Sequence, residues 1–201
     1  MSSKAELEKE RKKQILDAAE RVFSERGFDK ARMDDIVEAS GLSKGALYWY
    51  YKSKDAIIRA LLERVFISEL KEADGLVEAD GSATDRIRLF VGFAVREYKR
   101  FEKLLPLAYE FIALAYRRKP VRETVVGYFK GYVEMLATII QQGVDAGEFR
   151  PCDPHAVAKA LIAMYEGIAL LWFLDPSQVD WDQMAEMPLT LLLAGLQPEA
   201  H

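Results

Sequence analysis

The sequence predicts an all-α protein: an N-terminal three-helix domain containing a helix-turn-helix, joined by a connecting helix to a C-terminal helical bundle. Three observations carry that prediction. Apolar residues recur every three or four positions along the chain, with no alternating strand pattern and no internal repeat. The stretch Met33 to Lys54, MDDIVEASGLSKGALYWYYKSK, holds two short helical patterns that meet at Ser40-Gly41. Asp, Gly and Pro punctuate the remainder at Asp74-Gly75, Asp80-Gly81-Ser82, Pro106, Pro120, Asp145-Gly147, Asp153-Pro154 and Asp175-Pro176.

The elements follow in order. From Arg11, the apolar set Ile15, Leu16, Ala18, Ala19, Val22 and Phe23 makes an amphipathic helix that Gly27 should end. Lys9, Arg11, Lys12 and Lys13 open it and could meet phosphates as readily as solvent. Met33, Ile36 and Val37 mark the next helix, and Leu42 re-enters the core after the glycine. Ser43 is placed to cap the amides of Gly45 and Ala46, opening a short helix that runs to about Tyr51. Ser53 caps a longer helix from Asp55 to about Lys71, with Ile57, Ile58, Leu61, Leu62, Val65 and Phe66 inward. Ser82 or Thr84 caps a helix to about Glu102, Pro106 opens one through Tyr116, and Pro120 opens another to Asp145-Gly147. Asp153-Pro154 starts a helix to Leu174, and the last spans about 179–196, kinked at Pro188. Residues 6–54 are thus the N-terminal domain and 55–198 the bundle, with nine helices in all.

Composition narrows the function. Of 201 residues, half are hydrophobic, enough to bury a sizeable core. No apolar run reaches membrane-spanning length and no charged-then-apolar leader opens the chain, so a cytoplasmic protein with no membrane partner is expected. The single Cys152 agrees with a reducing compartment. The net charge of -4 argues at first against a nucleic-acid partner. Its distribution reverses that: residues 1–64 carry 14 Lys/Arg against 12 Asp/Glu, and the rest 14 against 20.

The second helix of the motif suits a DNA groove. Gly45 and Ala46 keep its first turn thin, and Lys44 can reach a phosphate or guanine O6/N7. Tyr48, Trp49 and Tyr50 offer hydroxyl or N–H donors to phosphates and flat faces to thymine methyl groups. Four consecutive aromatics cannot all face one core from one helix, so at least two must point outward. No acidic residue interrupts Gly41 to Lys54, and Lys54 beside the free amides after Ser53 makes another phosphate site.

These residues resemble the N-terminal DNA-binding domain of TetR-family transcriptional regulators over about residues 6–62. The likeness is carried by Ile15-Leu16, Ala18-Ala19 and Phe23, by Gly27-Phe28, by Met33-Asp34-Asp35-Ile36, by Gly41-Leu42-Ser43-Lys44-Gly45-Ala46-Leu47-Tyr48 and by Tyr51-Lys52-Ser53-Lys54. It implies base or groove contacts at Lys44, Gly45, Ala46 and Trp49 and phosphate contacts at Tyr48, Tyr50 and Lys54. Arg32 departs from the family's usual Thr, which caps the second helix and touches a phosphate. Arg32 cannot cap that way, so either the helix start is rearranged or the guanidinium makes the phosphate contact. The resemblance also implies a homodimer formed by the last two helices, where Ala156, Ala160, Ala163, Gly167 and Ala169 permit close approach. Ile162, Leu170, Leu171, Leu189, Leu192, Leu193 and Leu196 add apolar surface there. Two recognition helices about 34–36 Å apart would then read double-stranded DNA at a palindromic operator.

The bundle should supply the input. Phe101, Tyr109, Tyr132, Met135, Tyr165 and Trp172 are collectively expected to line an apolar effector pocket, although for any one of them a plain core is the better reading. Glu110 and Glu166 interrupt apolar helical stretches, and a buried carboxylate is costly unless paired. Their partner is either a cationic, lipophilic small molecule or an internal arginine such as Arg96 or Arg122. Two other readings are weaker. An enzyme would have to use Cys152-Asp153-Pro154-His155, but adjacent residues at a helix start diverge and Asp153 is better used as a cap. A carrier of lipophilic ligands would lack salt-dependent DNA affinity. No Gly-rich phosphate loop or zinc spacing is present, so neither cofactor nor metal is expected.

Overall fold

The computed structural model describes residues 4–100, 102 and 105–198, with the side chains at 65–72, 105 and 182 outside that description. Phe101 therefore lies outside the described residues, and so do the side chains of the inward positions Val65 and Phe66. Among those described the regular structure is helical: α1 (Lys4–Lys30), α2 (Met33–Ser40), α3 (Lys44–Tyr50), α4 (Lys54–Asp74), α5 (Ala83–Arg100), α6 (Leu105–Arg117), α7 (Lys119–Asp145), α8 (Pro154–Leu174) and α9 (Trp181–Leu196). A short 3-10 turn at Pro176–Gln178 precedes α9.

The chain forms two compact units, Met1–Phe66 with Pro106–Val126, and Ile67–Leu105 with Gly127–His201. Residues 55–66 and 106–126, assigned to the bundle on sequence grounds, thus cluster with the N-terminal helices. In this first unit Ile15, Leu16, Ala18, Ala19, Val22 and Phe23 of α1 are buried, as are Ile36, Leu47, Ile57, Ile58, Leu61 and Leu62 of the next three helices. Arg64 of α4 pairs with Asp17 at 2.5 Å and with Glu20, fastening α4 to α1. Gly27 breaks α1 without ending it: its backbone (φ 72, ψ 164) bends the helix, which resumes to Lys30 and buries Phe28. That ring meets Phe23 and Phe111, with centroids 4.7 and 4.5 Å apart.

The second unit opens with a reciprocal cap. Ser82 Oγ accepts from Asp85 N (3.1 Å) while Asp85 Oδ2 accepts from Ser82 N (3.1 Å). Glu148 adds a second lock, taking the Ala83 and Thr84 amides at 2.7 and 2.8 Å. A Cβ at Gly143 would stand 2.4 Å from the Phe149 ring and 2.8 Å from Ala83, so only glycine lets α7 approach α5 so closely. Asp153 caps α8 through the amides of His155 and Ala156, as expected, which leaves it unavailable to the Cys152-His155 cluster. Arg150 closes the C-terminus of α9 by donating from its backbone N to Leu196 O (2.9 Å) and from Nε to Gly195 O (2.6 Å).

One expectation changes here. α8 is 21 residues long, with a mean hydropathy of 1.7 over its most apolar window, and is thus long and apolar enough by composition to cross a membrane. Only 28% of that window is buried within the chain, which leaves most of an apolar helix uncovered. The exposed positions Ala156, Ala160, Ala163, Gly167, Leu170, Leu171 and Leu174 recur at intervals of three and four. Met187, Leu191 and Ala194 do the same on α9. Ala169, Leu189, Leu193 and Leu196 face the core instead, because their positions fall on the opposite side of each helix.

Candidate nucleic-acid interface

α3 has seven residues and is too short to hold its shape alone. Its scaffold supplies what length does not. Ser43 Oγ accepts from Ala46 N at 3.2 Å, closing the N-terminus. Leu47 is fully buried and Tyr51 nearly so, each burial contributing about 1.5–3 kcal/mol. With those two inward, Trp49 is 63% exposed and its ring meets Tyr50 edge-on at 4.7 Å. Lys44 and Gly45 are exposed, Ala46, Tyr48 and Tyr50 half-buried. The outer face of α3 is therefore thin at its start and aromatic at its end.

α2 meets α3 through Gly41, whose left-handed backbone (φ 67, ψ 14) ends α2 with its amide on Glu38 O. Gln14 reaches from α1 to Ser40 O at 2.7 Å, satisfying another carbonyl at that end. At the other end α2 begins without a side-chain cap from Arg32. Asp35 compensates: its Oδ2 accepts from Arg32 N at 2.7 Å, and its Oδ1 receives Arg26 at 2.7 Å. Of the two alternatives for Arg32, the helix start is thus secured by Asp35, and the exposed guanidinium has no hydrogen-bond or ion-pair partner among the described residues. Glu25, Arg26, Lys30, Arg32 and Asp35 line a surface groove of about 460 Å³ beside it.

Two expected contacts look different in space. Lys54 does not stand free beside the N-terminus of α4, where Ser53 Oγ takes the Ala56 amide. Its ammonium donates to the carbonyls of Phe28 and Ala31, the latter at 2.9 Å, and so closes the end of α1. Burial, and after it Arg118, pushes its pKa down. Lys44 is paired as well, because Asp34 on α2 lies 2.7 Å from its Nζ. The run Gly41 to Lys54 has no acid in sequence, but α2 delivers one across the turn. Asp34 holds the Lys44 pKa above its ordinary value through that hydrogen bond and its charge.

Residues 15–61 match the family of bacterial regulatory proteins of the tetR type, and residues 83–196 match the C-terminal domain of BetI-type transcriptional repressors. The chain belongs to the TetR family. A TetR-family relative, the HTH-type transcriptional regulator YfiR of Bacillus subtilis, is 31% identical, with 99% of each chain aligned. The fold matches FadR of B. subtilis in complex with stearoyl-CoA (TM-score 0.78, 20% identity, 92% of this chain and 99% of that one). It also matches the SmeT–triclosan complex (TM-score 0.78, 22% identity, 94% and 93%). This TetR-family protein is a DNA-binding transcriptional repressor.

The structure divides the residues expected to hold an effector between the two units. Tyr109 and Glu110 belong to the first unit. Glu110 is exposed rather than buried in a pocket: its Oε2 accepts the Phe28 amide at 3.1 Å, beside the Gly27 kink. Tyr132, Met135, Tyr165, Glu166 and Trp172 lie in the second unit. Tyr132 is a core residue, edge-on to Phe90 and Tyr128 at 5.5 and 4.8 Å. Tyr165 is buried and donates to Ala185 O, and burial pushes its pKa up. Met135 is half-buried on α7.

Glu166 has neither Arg96 nor Arg122 as its partner. Tyr98 donates its hydroxyl to Glu166 Oε1 at 2.9 Å, and burial pushes the carboxyl's pKa up against that bond. The Tyr98 ring stacks on Trp181 (5.3 Å, 12°), and Trp172 meets Trp181 edge-on at 5.6 Å. Trp181 was not among the expected site residues. The signal was an indole beginning the last helix, and only the fold brings it to Glu166 through Tyr98.

Proposed function

We propose that this repressor is a cytoplasmic homodimer. It binds a palindromic operator through α3 and is released by a lipophilic small molecule held in the second unit. The observation that carries the output side is the orientation of α3: Leu47 and Tyr51 inward, Lys44, Gly45 and Trp49 outward. In that pose Lys44, Gly45, Ala46 and Trp49 face the major groove, while Ser43, Tyr48, Tyr50 and Arg32 address the flanking phosphates. Lys54 contributes by fixing the α1 end rather than by touching DNA.

The dimer reading rests on the exposed stripes of α8 and α9. Two copies of each would pack as four helices, with Ala156, Ala160, Ala163 and Gly167 allowing close approach and Leu170, Leu171, Leu174, Met187 and Leu191 supplying apolar area. Such pairing gives α8 a cover other than lipid, and the Lys159 and Glu166 charges within it suit protein better than a bilayer. Ligands of different kinds in FadR and SmeT support a lipophilic effector here. The chain passes between the units within α4, at the start of α6 and within α7, so these segments are the covalent links between the bundle and the reader. A coupling of about 1–3 kcal/mol would weaken operator binding roughly 5–150-fold.

Selection of double-stranded DNA from a random library with the full chain tests this. The expected product is a twofold-symmetric site with half-sites about 10–10.5 base pairs apart or a multiple of that. An enriched site without symmetry, or no enrichment, would overturn it.

A further inference from the structure

We propose that the effector site is built for a cationic, amine-bearing lipophilic molecule, with Glu166 pairing its charge and the Tyr98–Trp181–Trp172 cluster providing its aromatic surroundings. The inference rests on the ligand-release reading above and adds the chemical class of the ligand and the residues that choose it.

The cluster joins three helices. Tyr98 of α5 touches Glu166 of α8 with its hydroxyl and Trp181 of α9 with its ring, and Trp181 in turn meets Trp172 of α8. Two groups in it are incomplete. Glu166 sits in the most apolar helix of the chain, and its Oε1 has a single donor, Tyr98. No Lys, Arg or His pairs with it among the described residues. An ionised carboxylate offers about four lone-pair sites, so one hydroxyl leaves most of its charge uncompensated. Trp181 is 5% exposed and its Nε1–H has no acceptor among the described residues. A buried donor without a partner is rare in a folded protein and points to a group that arrives from outside.

Both deficits define one ligand. A negative carboxylate beside indole and phenol faces selects a cation, because the ring faces carry the negative end of the aromatic quadrupole. The Trp181 N–H selects an acceptor oxygen or nitrogen elsewhere on the same molecule. The same carboxylate repels an anionic head group, so fatty acids and their anionic derivatives are selected against. The raised pKa of Glu166 is what desolvation without a counter-charge produces, and a bound ammonium would bring it back down.

Calorimetric titration of the full chain at pH 7 with three probes of matched size, 4-phenylbutylamine, 4-phenylbutanol and 4-phenylbutyrate, tests the charge preference on the wild-type protein itself. The amine is expected to bind at least about tenfold tighter than the alcohol, and the acid weakest. Glu166→Gln, which keeps the side chain's shape and an oxygen to accept from Tyr98, should erase the amine's advantage and leave the alcohol's affinity in place. Equal or tighter binding of the alcohol or the acid, an amine preference that survives Glu166→Gln, or no binding of any probe would overturn the proposal. A mobility shift with the selected DNA separates the two readings. If the amine binds in a Glu166-dependent way and the DNA complex is unchanged, the site stands and release by its ligand fails. If a compound of another charge releases the DNA independently of Glu166, release stands and this proposal fails.

Discussion

Lys44 enters the DNA-binding equilibrium already paired, and that shapes how the surface responds to salt. Its bond to Asp34 is between two well-exposed groups, so it adds little to stability, yet it must open before the ammonium can meet a phosphate or a guanine. Lys44→Ala should weaken DNA binding and reduce the slope of log affinity against log salt by about 1 per protomer. Asp34→Asn should do the opposite, tightening binding at low salt while leaving the slope in place. Fluorescence anisotropy across a salt series measures both, and an unchanged slope in Lys44→Ala would remove Lys44 from the interface. Arg32 and Lys54 show the limit of transferring roles by position. A Lys at the start of a helix looks like a phosphate ligand in one dimension, but here the carbonyls ending α1 lie within its reach.

Among the elements, the start of α5 depends on a residue far along the chain. Glu148 accepts two amides that α5 itself cannot satisfy. Burial pushes its pKa up, but the hydrogen bonds from Thr84 and Ala83 outweigh burial and hold it below 4.5. A carboxyl with a folded pKa depressed in this way adds stability that is full above its unfolded value and is lost as pH falls through the folded one. The stability difference between wild type and Glu148→Gln should therefore be constant near neutrality and shrink below about pH 4.5, as read by urea unfolding at each pH. A difference that grows on acidification would show that the cap is not ionic. The first unit has a comparable long-range cap, Glu110 on the Phe28 amide, and an ion pair between Arg118 and Asp55 of α4. Together they attach residues 106–126 to the end of α1 and the start of α4.

For the whole molecule, function depends on what covers α8 and α9. A helix of that hydropathy with most of its surface bare would promote aggregation in a monomer, and the three-and-four spacing of its exposed residues fits a helical partner. Leu171→Glu with Leu191→Glu should convert a dimer into monomers in sedimentation velocity. DNA affinity should fall steeply, since each monomer then holds a single recognition helix. An oligomer unaffected by both changes would move the interface elsewhere.

The local features were legible because they depend on neighbours in the chain. Apolar spacing marked nine helices. Ser43, Ser53, Ser82 and Asp153 announced caps, Gly41 announced the turn, and four adjacent aromatics required that some face outward. These are short-range rules of backbone geometry and hydrogen bonding, and one sequence suffices for them. What only the tertiary structure decided is where long-range partners lie. Glu110 read as a buried pocket acid and is an exposed cap on Phe28, while Lys54 read as a phosphate ligand and closes α1. Asp34 reaches Lys44 across the turn, and Trp181 joins Glu166 through Tyr98. The physical reason is that a charged or aromatic side chain will take any compatible partner brought within its reach. Which partner that is depends on helix packing, which local periodicity leaves open.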